Sequence, residues 1–301
     1  FSNESREYGA IFDLSNDDFL QKISLNFVDE DMSIVGEEAF MNPVASEEMT
    51  LGYYLSKEVD SFHVDLGIRH DRLGRKGSVG HGGELALFSK DFNNTSLAMS
   101  LGKDINDKFE VNVSSAIVQR APSAVELFMN GEHLATGRFE VGNTDLESER
   151  STNFDITLGY ENAGVFGVFT LFQNHVNNYI YLQDETDDGH GGEEDHGSLI
   201  KADYLQQDGE FIGYELELGK AIELANGELT LSFGRDSVTG NFRDDSNISR
   251  MTPNRNIYTV SYAQDDFELK LDLKDVESQR DIGNNETVTS GFNMLNFNAV
   301  K

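Results

Sequence analysis

Apolar and polar residues alternate one by one along most of this chain. Phe154, Ile156, Leu158 and Tyr160 are interleaved with Asp155, Thr157 and Gly159, and Tyr214, Leu216 and Leu218 with Glu215, Glu217 and Gly219. Phe267, Leu269, Leu271 and Leu273 sit between Glu268, Lys270 and Asp272 in the same way. The pattern recurs at Phe62, Val64, Leu66 and Ile68, at Phe109, Val111 and Val113, and at Leu229, Leu231 and Phe233. A period of two puts successive side chains on opposite faces of a strand. The predicted elements are therefore strands with one apolar and one polar face. Only 3 prolines are present to interrupt such ladders.

Alternation suits a soluble sandwich, apolar face inward, as well as a membrane barrel, apolar face outward. The connections separate the two. Short turns at Glu58 to Ser61, Lys103 to Asp107, Asn162 to Gly164, Ala225 to Gly227 and Gln264 to Asp266 alternate with long polar segments. The long segments cover Asp29 to Glu47, Arg72 to Asn93, Gln119 to Arg150, Asp184 to Asp203, Asp236 to Thr252 and Glu277 to Ser290. Such short–long alternation belongs to up-and-down outer-membrane barrels, with short periplasmic turns and long extracellular loops. The expected fold class is all-β, an antiparallel up-and-down transmembrane β-barrel. About thirteen strands of roughly ten residues each are expected. Single-chain bacterial barrels have even strand numbers, so residues 1–301 are expected to be one partial barrel domain. Tyr53, Tyr54, Tyr179, Tyr181, Tyr258 and Tyr262 fall near strand ends, as interfacial aromatics do. Ordinary strand aromatics would fall there too.

Composition narrows the function. The 301 residues include no cysteine, which removes disulfide frameworks, thiolate metal sites and cysteine nucleophiles. With 23 Lys+Arg against 54 Asp+Glu, the formal charge is -31. A field of that sign opposes nucleic acid, whose binding depends on basic side chains at phosphates. It draws cations in, and serves solubility equally well. The first residues are polar and acidic and do not form a secretory signal. No apolar run reaches the ~18 residues of a transmembrane helix, so membrane crossing would have to be by strands. No G-x-S-x-G elbow, H-E-x-x-H helix or phosphate-cradling glycine loop is present, and no enzyme is expected.

Residues 117 to 161 carry a more specific pattern: Arg120-Ala-Pro-Ser-Ala-Val-Glu-Leu-Phe, Gly131-Glu-His-Leu-Ala-Thr-Gly, Glu140-Val-Gly-Asn-Thr-Asp-Leu-Glu-Ser-Glu and Asn153-Phe-Asp-Ile-Thr-Leu-Gly-Tyr. This stretch resembles the barrel half of TonB-dependent receptors. The His-Leu-Ala-Thr-Gly element, with Gly36-Glu-Glu-Ala-Phe, Asn178-Tyr-Ile-Tyr-Leu, Gly213-Tyr-Glu-Leu-Glu and Pro253-Asn-Arg, is similar to zinc receptors of the ZnuD type. The resemblance implies a barrel of about 22 strands with an N-terminal plug, an energy-coupling box and a closing C-terminal strand, none of which is visible here. It further implies a bacterial outer-membrane home, zinc or a similar divalent ion as transported ligand, no catalytic cofactor, and as partners the TonB complex (through the plug), that ion and outer-membrane lipid.

The densest run of metal-ligand chemistry is Asp184-Glu-Thr-Asp-Asp-Gly-His-Gly-Gly-Glu-Glu-Asp-His-Gly. Imidazole nitrogens and carboxylate oxygens both suit zinc, and imidazole also suits copper and nickel. Its glycines let the backbone wrap a small ion. The candidate ligands are His190, His196, Glu193, Glu194 and Asp195, against the alternative of a merely solvated acidic loop. By resemblance, His133 matches a zinc-site histidine nearer the transport path, and Glu38 or its neighbour Glu37 adds a carboxylate. His81, in Gly80-His-Gly-Gly, joins the candidates as another external-loop imidazole. His63 has lumenal parity near the periplasmic end, whereas His70 and His175 lie toward outer strand ends. Two other functions compete: a haem or siderophore receptor, calling for aromatic or cationic pockets, and a passive porin or adhesin barrel (or a soluble β-sandwich binder), calling for no plug.

Overall fold

A chain whose alternation so rarely lapses forms one antiparallel sheet. The computed structural model describes residues 2–36, 39–81, 84–185 and 199–301. The strands are β1 (Ser2–Asp13), β2 (Leu20–Ser33), β3 (Val44–Val59), β4 (Phe62–His81), β5 (Glu84–Asn106) and β6 (Phe109–Arg120). Next come a short helix α1 (Ala124–Phe128), strand β7 (Asn130–His133), a 3-10 turn (Leu134–Thr136) and strand β8 (Arg138–Val141). The order continues through β9 (Glu149–Asn162), β10 (Val165–Asp184), β11 (Ile200–Leu224), β12 (Gly227–Phe242), β13 (Arg255–Gln264), β14 (Phe267–Val276) and β15 (Phe292–Val300). Thirteen of these pair as sequential antiparallel neighbours from β1 to β15, while β7 and β8 lie off that path. The expected up-and-down order and strand number are both present.

The register explains how the two faces stay distinct. Tyr53 pairs with Ile68, Ile68 with Leu97 and Leu97 with Ile117. Farther round, Val113 pairs with Ile156, Ile156 with Leu171, Phe233 with Tyr258, Tyr258 with Leu273 and Leu273 with Leu295. Because register holds along the ladders apart from slips at Asp104/Asn106 and Val176/Tyr179, one apolar band runs across the sheet. Its members are exposed: Leu97 47%, Ile156 40%, Leu171 49% and Leu295 65%. A soluble protein would bury such a band. The other face is laced with polar bonds. Thr50 donates to Asp71 at 2.6 Å, Ser114 to Asp155 at 3.2 Å and Thr259 to Asp272 at 2.6 Å, and the Thr157 and Thr170 hydroxyls meet at 2.9 Å.

The strands differ from expectation in length. β4 has 20 residues and β5 has 23, about twice the 9–11 that a membrane crossing needs. The expected loop from Arg72 to Asn93 is instead a continued hairpin, with register kept to His81 opposite Glu84. Water on both sides removes the need for alternation, but the backbone ladder still repays pairing. The other long connections sit at that same end. Those at the opposite end are tight, as between Asn162 and Val165 or Gln264 and Phe267.

The conventional core is small and lies on the polar face near the long-connection end. Met41, Val44, Phe92, Leu127, Phe128, Leu146 and Ile180 form it. Phe92, from β5, shares the face of Lys90 and Asn94, opposite that of Leu97 and Met99. The segment between β6 and β9 is thus packed onto the inner wall.

Candidate functional site

The β6–β9 connection is fastened at both ends before it presents any chemistry. Arg120, the last residue of β6, donates to Glu126 at 2.9 and 3.1 Å and to Glu149, the first residue of β9, at 2.5 Å. Ser123 caps α1: its hydroxyl accepts from the Glu126 amide at 3.3 Å, and the Glu126 carboxylate accepts from the Ser123 amide at 2.7 Å. This reciprocal box satisfies two amides that a helix start otherwise leaves orphaned. Leu127 and Phe128 then enter the core at 0% and 1% exposure. Lys90 donates from the wall to the carbonyls of Thr144 at 2.9 Å and Leu146 at 2.6 Å. At Gly142 a Cβ would lie 2.7 Å from the Leu127 backbone, so only glycine lets the returning chain pass beneath α1.

Between these anchors, β7 and β8 make a small hairpin. Asn130 pairs with Val141 and His133 with Arg138. Gly137, at φ 67°, supplies the left-handed turn residue. β8 continues the ladder in parallel with the start of β11, Arg138 opposite Ile200 and Val141 opposite Asp203. Arg138 forks onto Asp184 at the tip of β10, with Nε–Oδ1 and Nη2–Oδ2 both 2.7 Å, and its Nη1 donates to the Thr136 carbonyl at 2.9 Å. Asp184 is 6% exposed. Its hydrogen bonds, with burial opposing, push the Arg138 guanidinium above its already high range. Bidentate, charge-assisted pairing fixes geometry as well as charge.

This framework holds His133. Its Nδ1 lies 2.9 Å from Oε1 of Glu140, which also accepts from the Thr136 hydroxyl at 3.0 Å. Its ring packs on Phe40, with centroids 5.6 Å apart and planes at 31°. Phe40 comes from the β2–β3 connection, and its carbonyl accepts from Asn130 at 2.8 Å. The two motifs paired by resemblance, at Gly36 to Phe40 and Gly131 to Gly137, therefore meet through Phe40 and His133.

Of the other candidates, Glu38, Glu193, Glu194, Asp195, His190 and His196 lie outside the described residues, as does Glu37. His81 ends β4. Among the described residues no three His, Cys, Asp or Glu side chains converge into a metal-holding group, so His133 is a single anchored imidazole. His63 lies on the inner face near the short-turn end, between Glu58 at 2.5 Å and Asp65 at 3.1 Å. His70 and His175 are on the outward-facing parity beyond the apolar band, with Thr95 at 3.0 Å and Glu210 at 3.3 Å respectively.

The sequence pattern does not single out Glu140, Thr136 or Arg138, nor the grouping of Tyr179 and Tyr181 with Phe211 and Phe242. Above a register slip at Val176/Tyr179, Ile180 enters the core. Tyr179 and Tyr181 stack at 6.4 Å, and Tyr181 lies 4.6 Å from Phe242 and Tyr179 5.3 Å from Phe211.

The family model described as TonB dependent receptor-like, beta-barrel matches residues 9–299. Among solved structures, the copper transporter OprC superposes with TM-score 0.74 at 15% identity, over 99% of this chain and 49% of that one. The FrpB iron transporter from Neisseria meningitidis (F3-3 variant) gives 0.62 at 15% identity, over 97% and 47%. A double mutant of the Serratia marcescens hemophore receptor HasR, in complex with its hemophore HasA and heme, gives 0.65 at 14% identity, over 99% and 53%. The chain spans about half the length of the structures it matches. At such identities the likeness concerns the fold.

Proposed function

The chain belongs to the TonB-dependent receptor β-barrel family, and from that premise we propose that it is the barrel part of an outer-membrane receptor that captures zinc or a similar divalent metal ion for uptake. In this reading the exposed apolar band faces lipid and the polar face lines the lumen. The long-connection end is extracellular. The ion is caught by the outer loops and passed inward, with a plug supplied by the rest of the receptor and energy by the TonB complex.

One observation carries the metal reading. His133 is held rigidly on the inner side of the outer mouth, with its Nδ1 taken up by Glu140 and no bond to its Nε2 among the described residues. An imidazole nitrogen is a ligand for zinc, copper and nickel alike. The -31 charge favours a cationic cargo. His190, His196, Glu193, Glu194 and Asp195 would act as a weaker capture arm, with Glu38 and His81 as further outer-loop donors. Zinc itself, and not only a divalent ion, is supported by the similarity of residues 131–137 to the ZnuD type.

A second reading is favoured by the aromatic group of Tyr179, Tyr181, Phe211 and Phe242, which would suit a flat chelate such as haem or a siderophore. Calorimetric titration of the full-length receptor separates the two. Zinc is expected to bind saturably, with affinity at least about tenfold weaker in His133→Ala, as loss of an oriented ligand entails. Absence of zinc binding, or binding unchanged when His133, His190 and His196 are all replaced by alanine, would defeat the metal reading. Saturable haem binding in its place would establish the second.

A further inference from the structure

Glu140 is a carboxylate in a costly place. It is 4% exposed, and a buried carboxylate is tolerated only where donors reach it. Among the described residues two groups reach one oxygen, Oε1: the Thr136 hydroxyl donates to it at 3.0 Å, and His133 Nδ1 lies 2.9 Å from it. Arg138, two residues away, directs its hydrogen bonds to Asp184 and to the Thr136 carbonyl. Glu140 therefore spends its hydrogen bonding on the imidazole and on the turn that carries it.

The consequence follows from valence. An ionised carboxylate only accepts, so the nitrogen facing it must carry a proton. A neutral imidazole has one N–H, and if that sits on Nδ1, Nε2 keeps a free lone pair. The Phe40 ring, 5.6 Å away and tilted by 31°, limits rotation of the imidazole about its own axis. We infer that Glu140 is the positioning residue of the metal site: it holds His133 in the Nδ1–H tautomer and so presents the Nε2 lone pair to a divalent transition-metal ion. This rests on the reading of His133 as a ligand. A carboxylate behind a metal-binding histidine fixes the ring and makes the ligand nitrogen more basic, and its removal costs roughly 10- to 100-fold in metal affinity. Thr136 anchors the carboxylate oxygen from the other side, so the hairpin turn and the ligand are fixed together.

The test uses the full-length receptor in micelles, labelled with 15N at histidine, without metal and then with zinc. The His133 signals are those that vanish in His133→Ala. The expected spectrum has Nδ1 protonated and Nε2 unprotonated in the wild type and in Glu140→Gln, whose amide oxygen still accepts. In Glu140→Leu the proton is expected to redistribute toward Nε2, and zinc affinity to fall by roughly 10- to 100-fold. A wild-type His133 protonated at Nε2, or at both nitrogens, overturns the inference. So does a Glu140→Leu protein with unchanged tautomer or unchanged affinity. If Glu140→Leu does not fold, the wild-type and Glu140→Gln spectra still decide. If His133→Ala binds zinc as tightly as the wild type, the ligand reading fails, whereas the tautomer still reports whether Glu140 holds the ring.

Discussion

At Gly131 a single absent Cβ makes room for the site. A Cβ there would lie 2.6 Å from the Cα of Phe40, the residue whose ring packs on His133. Gly131 stands opposite Glu140 in the hairpin, so the empty position is the one where the β2–β3 connection crosses β7. Gly131→Ala is expected to push Phe40 away, at an overpacking cost of about 1–3 kcal/mol. Hydrogen exchange should show lost protection at Asn130, whose amide bonds the Phe40 carbonyl, together with weaker zinc binding. Protection and affinity both equal to wild type would show that the contact is not needed. His133 was legible as a candidate because its motif is local in sequence. Glu140 was not, because its role depends on a diagonal contact across a hairpin that pairs His133 with Arg138. Four-residue strands carry too little periodicity to announce themselves.

At the scale of elements, β9 states the barrel argument in one strand. Ile156 points outward at 40% exposure, while its neighbour Thr157 points inward and shares a hydrogen bond with Thr170 at 2.9 Å. Ile156→Arg is expected to destabilise the folded receptor by about 2–4 kcal/mol, the penalty for a basic side chain at the lipid midplane. Thr157→Arg should cost less than Ile156→Arg, because its side chain lies on the polar face of the wall. Urea titration in lipid vesicles measures both, and equal costs would contradict the assignment of faces. The alternation of β9, β11 and β14 made these faces readable from sequence. Where strands leave the apolar band the signal ends, and so no alternation marks the continuation of β4 and β5 to His81 and Glu84 as strand. The inward fold of the Ala121 to Ser148 segment was hidden for a related reason. Its α1 has five residues, and its burial is decided by distant partners such as Phe92 and Ile180.

Over the whole molecule, the sheet runs from β1 to β15, and each of these pairs on one side only among the described residues. Both strands are exposed along their full length, and unpaired edges of this kind invite further strands. The matched structures are about twice as long as this chain. In the proposed function, the net charge of -31, the exposed apolar band and the imidazole of His133 serve one end: a membrane wall that attracts a cation and offers it a ligand. The measurement that reaches this claim most directly is uptake of radioactive zinc by zinc-starved cells carrying the full-length receptor. Uptake is expected to require both TonB and His133, falling to the level of receptor-free cells when either is removed. Equal uptake with His133→Ala, or no uptake above receptor-free cells while haem or a siderophore still enters, would contradict it.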